Sequence, residues 1–478
     1  MQSLSPPFVS LANHPFRCDL VSEKFNSTKD YDGSCEISLA ANDSGTKIPC
    51  GQNGTRLVYD AEFGSTAVSE FGLVCGNDFL GPLDATILAV GSMLSNLITF
   101  PLADVFGRKI IFSLSCWLMF LTSAVVPLSP TYTFFLVGRF FSGFAQIAVA
   151  YVGWTMVTEM MPIGARAIMP AVSSASYTIG YCLLGVAAFL LPDWRHLLWV
   201  ACAPSALFLA SYWIMPESLH FLLAKNREKE AIRLVDRLSF FNSTAVNLDE
   251  CRVDQEAASS KETSHRSLVD IVRSPLLLLY TVVWSFIQCN VFLIYQGLSL
   301  LSTEVSSNRH LGFILSGAVE FPAVAIAVAL LQIAGRRTVT VFSLLACCAS
   351  LFAYSAVPAQ YENAWFSVGL FLVGKGAILM VYNAIDVYEL EIIPTTVRNS
   401  VYGITLFFGG IGGILAPQAD HLIRIDPKLP YLIFASLALA CALLCTTQPE
   451  TKGKEMPLDI PQMRRGPLVK WIAKVFER

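Results

Sequence analysis

Asp104-Val-Phe-Gly107-Arg108-Lys109 returns further along the chain as Gly335-Arg336-Arg337, and it does not return alone. Glu159-Met-Met-Pro162-Ile-Gly-Ala-Arg166 is echoed by Glu391-Ile-Ile-Pro394-Thr-Thr-Val-Arg398, and Pro216-Glu217-Ser218 by Pro449-Glu450-Thr451. The three offsets are 228, 232 and 233 residues. Three separate echoes at nearly one spacing mark two copies of one unit. Each motif is flanked by long hydrophobic runs, as parallel repeats of a membrane bundle are.

Composition agrees with that placement. Of 478 residues, 54% are apolar, 12% aromatic and only 14% charged, too hydrophobic a balance for a soluble chain of this length. Runs long enough to cross about 30 Å of hydrocarbon cover 80–103, 109–128, 131–157, 167–191, 194–215, 275–300, 309–333, 338–357, 362–388, 399–421 and 429–446. They are continuously apolar rather than alternating, which excludes a β-barrel. The expected fold is therefore an all-α polytopic membrane protein with eleven transmembrane helices.

Charge orients the bundle. The loops carrying the repeated motifs, with the stretch 217–273 and the tail, hold 22 of the 33 Lys and Arg residues, so these segments and the C-terminus are expected in the cytosol. An odd number of helices then puts residues 1–79 outside. That segment carries Cys18, Cys35, Cys50 and Cys75, enough for two disulfides in any of three pairings. It also carries acceptor sequons at Asn26, Asn42 and Asn53, which suit a glycosylated outer loop. The sequon at Asn242 falls on the cytosolic side and is expected to be unused. The organisation is then an extracellular cysteine-containing loop (1–79), a first half bundle (80–215), a cytosolic linker (216–274), a second half bundle (275–446) and a cytosolic tail (447–478). Within the linker, apolar residues recur at helical spacing between Lys225 and Arg237, which predicts an amphipathic helix.

The loop Asp104 to Lys109 resembles the signature between helices 2 and 3 of major facilitator transporters. Pro216-Glu217-Ser218 and Pro449-Glu450-Thr451-Lys452-Gly453 resemble their sugar-porter-like branch. More narrowly, the chain resembles the organic cation, anion and carnitine transporters of solute carrier family twenty-two. That resemblance rests on the large cysteine-bearing loop, Gly138-Arg139-Phe-Phe-Ser-Gly143, Asp193-Trp194-Arg195, Tyr295-Gln296-Gly297-Leu298, Leu315 to Ala323, Gly374-Lys375 and Pro394 to Asn399. It implies a major facilitator fold of two pseudo-symmetric six-helix halves. Because two helices precede Gly335 but only one precedes Gly107, helix 1 is expected to be missing from this sequence, as in a truncated gene model or an isoform.

A carrier whose halves rock needs contacts that form in one state only. Asp104 with Arg108 and Lys109, Glu159 with Arg166, Glu391 with Arg398, and Arg336 with Arg337 in the second copy are the candidate gating charges. Two departures weaken the pattern: Phe100 and Val105 stand where the family loop has Gly and a basic residue, and Gln332 replaces the second Asp.

Charges inside the hydrocarbon cost at least ~2.5 kcal/mol when unpaired and therefore face a partner or a cavity. Arg139 and Lys375 resemble structural positions of the family. Lys375 and Asp386 are eleven residues apart, about 16 Å along a helix, too far to pair directly. Glu320, two residues before Pro322, is the principal substrate candidate, and the resemblance implies that an acid here contacts cations. Asp386, a further substrate-binding candidate on the same face as Lys375, stands where the family more often has an apolar or aromatic residue. Trp154 and Tyr295, with Gln296, match cavity positions of the family, and aromatic faces bind cations. Gly410 matches a site that is Asp in the cation branch and Arg in the anion and carnitine branches, and Val324 replaces a Lys of the anion branch.

Organic cations are the favoured substrate. Two further readings stay open: an ion-coupled carrier of carnitine-like zwitterions or organic anions, and a nontransporting receptor or scaffold. Nothing suggests an enzyme, a cofactor, a bound metal or a nucleic-acid partner. The expected surroundings are a small organic ion, the lipid bilayer, a plasma-membrane location and a coupling ion of unassigned identity.

Overall fold

In the computed structural model, the described residues are 65–160, 169–224, 227–242, 273–306, 308–358, 364–394, 397–454, parts of 457–467, and four short strands nearer the N-terminus. Those strands are β1 (Phe16–Leu20), β2 (Glu36–Ser38), β3 (Lys47–Pro49) and β4 (Thr55–Tyr59). They form two antiparallel two-stranded sheets, β1 with β4 and β2 with β3, a local β element beside an otherwise helical bundle. The glycosylation expectations at Asn26, Asn42 and Asn53 lie outside the described residues, as do the side chains of Cys18, Cys35 and Cys50. Cys75 is disulfide-bonded.

A short helix, α1 (Ala67–Phe71), leads into the bundle. The first half comprises α2 (Leu83–Phe106), α3 (Arg108–Leu128), α4 (Tyr132–Met160), α5 (Met169–Leu190) and α6 (Trp194–Ile214). The second comprises α7 (Pro275–Leu301), α8 (Arg309–Ile333), α9 (Arg336–Ser355), α10 (Trp365–Ile392), α11 (Arg398–Leu415) and α12 (Leu429–Thr446). Among the described residues ten spans are long and apolar enough to cross a membrane, and α2 adds a shorter apolar stretch, Leu83–Thr99. All eleven predicted segments are helices, and the chain is a multi-pass membrane protein. The core of the second half is apolar and aromatic, with Trp284, Phe371, Tyr388 and Phe434 packed among aliphatic side chains of α7, α9, α10 and α12.

The linker contains the helices Leu219–Ala224 and Glu228–Asn242. The second is amphipathic as its spacing predicts: Ala231 and Leu234 are buried against Leu222 while Lys229, Glu230 and Arg233 face out.

The repeated motifs fold alike. Gly107 (φ 106°) and Gly335 (φ 93°) hold a backbone conformation that a side chain rarely adopts, and each opens the next long helix. Glu217 then accepts the Lys109 N–H at 3.1 Å, and Glu450 accepts those of Arg336, Thr451 and Lys452 at 3.0 to 3.1 Å. A carboxylate at a helix N-terminus takes orphan N–H groups and meets the positive end of the dipole. The acid of each Pro-Glu motif thus locks the Gly-Arg turn of its own half.

α1 is tied to the bundle by Glu70, which accepts hydrogen bonds from Trp194 Nε1 (2.9 Å) and Arg195 Nε (3.1 Å) and pairs with the Arg195 guanidinium. The Arg195 hydrogen bond holds the Glu70 carboxyl below the usual glutamate range.

The halves meet chiefly at the end of the bundle near α1. Tyr181 of α5 stacks on Phe313 of α8 with ring centroids 4.2 Å apart, and Gln418, just after α11, donates to Thr86 of α2 at 3.2 Å. Nearer the opposite end, Ser174 of α5 donates to Asn383 of α10 at 3.0 Å, and no ion pair crosses between the halves there among the described residues.

Candidate functional site

Helix α8 is broken at Val319, between Arg309–Ala318 and Glu320–Ile333. Pro322 has no N–H to offer the carbonyl four residues back, so the backbone gives way in that turn. Glu320 opens the second piece with its side chain 1% exposed. Its Oε1 accepts from Tyr295 Oη of α7 at 2.9 Å and lies 3.6 Å from Lys375 Nζ of α10. Its Oε2 accepts from Thr178 Oγ1 of α5 at 3.3 Å. One carboxylate therefore holds groups from both halves of the bundle.

Lys375 is fully buried. Its ammonium lies 3.6 Å from the Tyr295 ring centroid and donates to the Tyr295 carbonyl (3.2 Å) and to Ser299 Oγ. The Tyr295 ring lies 5.2 Å from that of Tyr382, and Tyr382 lies 5.1 Å from Phe292. A carboxylate beside an aromatic face is the chemistry that receives an organic ammonium. Here the chain's own ammonium occupies that position.

The remaining candidates separate. Trp154 on α4 and Gln296 on α7 are half-buried and stand outside the Glu320 hydrogen-bond network. Gly410 lies in the seam between α2 and α11, where an added Cβ would come 2.7 Å from Met93 Cγ. The space that a charged side chain would need at this position is filled by the opposite half. Asp386 is half-buried and accepts from Gln288 Nε2 at 3.2 Å, in a second cluster closer to the end of α10.

Arg139 of α4 pairs with Asp84 of α2 at 3.4 Å, both side chains nearly inaccessible. Asp84 went unselected in the sequence because it sits at the start of its span, where an acid resembles an interfacial residue. Thr178, Ser299 and Gln288 carried no signal at all, since neutral polar residues in apolar helices are common. Glu389 was hidden between Asp386 and Glu391.

Of the gating candidates, Arg336 and Glu391 form an ion pair at 2.9 Å. Arg337 donates to the Thr446 carbonyl. Arg108 lies over the ring of Phe221 on the first linker helix at 5.0 Å, and Lys109 over Tyr212 of the first half at 4.9 Å. The side chains of Asp104, Glu159 and Arg398, and Arg166 altogether, lie outside the described residues. Among the described residues no cluster of three or more His, Cys, Asp or Glu side chains that could hold a metal ion is found.

The family model described as "Sugar (and other) transporter" matches residues 82–458. Solute carrier family 22 member 1 of Bos taurus is 30% identical over 88% of this chain and 74% of its own length. A Drosophila melanogaster protein named organic cation transporter protein is 30% identical over 86% of this chain and 77% of its own. The xylose transporter XylE from E. coli, in a partially occluded inward-open conformation, superposes with a TM-score of 0.64 at 16% identity, over 79% of this chain and 89% of that one.

Proposed function

This chain belongs to solute carrier family 22, within the sugar (and other) transporter family, and we propose that it carries small organic cations across the plasma membrane by alternating access. The observation that supports this reading is Glu320, a buried carboxylate shared between Thr178 of one half and Tyr295 of the other. An organic ammonium that displaces Lys375 takes over its place between carboxylate and ring. Because Glu320 binds groups on both halves, replacing its partner changes the contacts that hold the halves together, and that difference between states drives the rocking. Trp154, Gln296 and the neutral Gly410 seam complete the path.

The gating charges act at the motif-bearing end, with Arg336, Arg337, Glu391 and Arg398 in the second half and Asp104, Arg108, Lys109, Glu159 and Arg166 as their counterparts in the first. That end and the C-terminus face the cytosol; the segment before α1 is the glycosylated outer loop. The five-part division of the chain given above follows from this orientation.

The adjacent Glu320 and Lys375 favour a second reading, a carnitine-like zwitterion. Such a substrate offers an ammonium to the one and a carboxylate to the other. Uptake of radiolabelled tetraethylammonium, carnitine and a dicarboxylate into proteoliposomes separates these substrates. Saturable tetraethylammonium uptake abolished by Glu320→Gln is the expected result; carnitine uptake alone selects the second reading, and no uptake of either defeats both.

A further inference from the structure

Asp386 and Glu389 lie one turn apart on one face of α10, in its last two turns before Ile392. Gln288 of α7 donates through the same Nε2 to Asp386 Oδ1 and to Glu389 Oε2, each at 3.2 Å. The two carboxylate oxygens are therefore no further apart than twice that length. Glu389 is fully buried, and its other oxygen accepts from Thr405 Oγ1 of α11 at 2.6 Å. Asp386, half-buried and also hydrogen-bonded by Tyr402, gives the pair an open side. The ionisable groups facing the pair from α4, α10 and α11 are the phenols of Tyr151, Tyr382 and Tyr402, and α7 contributes Gln288. Among the described residues no basic side chain pairs with either acid.

A second, independent deficit has the same sign. Gln288 is fully buried, yet its Oε1 has no hydrogen-bond partner. That oxygen belongs to the same planar amide whose nitrogen touches both carboxylates, so it is the next polar atom beside the pair. Such an acceptor costs about 1–3 kcal/mol when left unsatisfied. The C-terminal end of α10 adds its own negative partial charge. Among the described residues, two carboxylates and an orphaned carbonyl meet here without a cation to balance them.

We propose that Asp386, Glu389, Gln288 and Thr405 form a binding site for a small monovalent cation, Na+ or a proton, distinct from the Glu320 centre. Na+ takes the carboxylate and hydroxyl oxygens as hard ligands, and the Gln288 carbonyl once the amide turns its oxygen toward the pair. A proton resides on one carboxylate and donates to Gln288 Oε1. Either leaves one net charge where there were two and supplies the missing partner. Asp386 is about 16 Å along α10 from Lys375, so the site can fill while Glu320 is engaged elsewhere. In a carrier this is where a coupling ion rides; binding itself does not depend on transport.

The test reads binding without transport. The full chain in lipid nanodiscs is melted while NaCl is exchanged for N-methyl-D-glucamine chloride at fixed ionic strength, at acidic and at alkaline pH. A Na+ site gives a saturable rise of the melting temperature with Na+; a proton site gives no Na+ effect but a rise on acidification. In both cases the dependence disappears in Asp386→Asn/Glu389→Gln. Gln288→Leu, which keeps both acids, shifts it by about tenfold in Na+ concentration or about one pH unit. Curves of the unaltered chain that superimpose on those of the double variant, in Na+ and in pH alike, overturn the proposal. Loss of tetraethylammonium uptake with this dependence intact defeats the cation-carrier reading alone.

Discussion

Replacing Lys375 by Met deletes the ammonium that neutralises Glu320 while keeping most of the side-chain volume. The two charges are 3.6 Å apart and both side chains are at most 1% exposed. At an effective dielectric of 20 their attraction is about 4–5 kcal/mol for that separation. Breaking a buried pair by removing one partner costs ~3–5 kcal/mol, because the other charge is left uncompensated. Lys375→Met is thus expected to melt well below the unaltered protein in nanodiscs. Adding Glu320→Gln removes the orphaned charge and recovers most of that loss, a coupling that a double-mutant cycle measures directly. The site chemistry adds a sharper expectation. In Lys375→Met no ammonium of the described residues neutralises Glu320, so tetraethylammonium raises its melting temperature more than it raises that of the unaltered protein. The double variant shows no such stabilisation and no uptake. A Lys375→Met protein that melts normally, or one whose stability ignores tetraethylammonium, would refute the assignment of Glu320 as the cation receptor.

Three further expectations rest on other contacts. Glu450→Ala removes an acceptor shared by three backbone N–H groups and is expected to cost about 1.5–3 kcal/mol, with Glu450→Gln intermediate, as read by thermal melting. Gly410→Ala drives a methyl group into Met93 across the seam between the halves, so about 1–3 kcal/mol of strain falls on the state closed near α1. Uptake falls, and a cysteine pair spanning that seam cross-links more slowly. Glu70 titrates below its unfolded value of 4.5 because of Arg195, so its contribution is present above pH 4.5 and lost as pH falls through the lower folded value. For so exposed a pair the effect is about 0–1 kcal/mol. The stability difference between the unaltered protein and Glu70→Gln is therefore constant near neutrality and vanishes in acid.

The bundle was legible because membrane spans are written in local composition: a run of about 20 apolar residues has few other uses. The amphipathic linker helix was legible for the same reason, its period being visible within four turns. Charged residues were found where they stand alone in apolar runs, as Arg139, Glu320 and Lys375 do. Their partners were not. The ion pair of Glu391 with Arg336, 55 positions away, could not be read from the sequence, where the residue in view was the nearer Arg398. Nor does the sequence show that Glu320 and Lys375, on different helices, meet at 3.6 Å.

Sequence by itself determined the helices, the duplicated architecture, the family and the short list of buried charges, all properties of residue type and spacing. Tertiary structure decided what each charge meets. Glu217 and Glu450 proved to lock the two Gly-Arg turns, Lys375 to fill the cation position beside Glu320, and Gln288 of another helix to bridge Asp386 and Glu389. Such pairings depend on helix rotation and crossing, to which periodicity is blind: it shows which face of a helix is polar, while only packing shows what that face opposes.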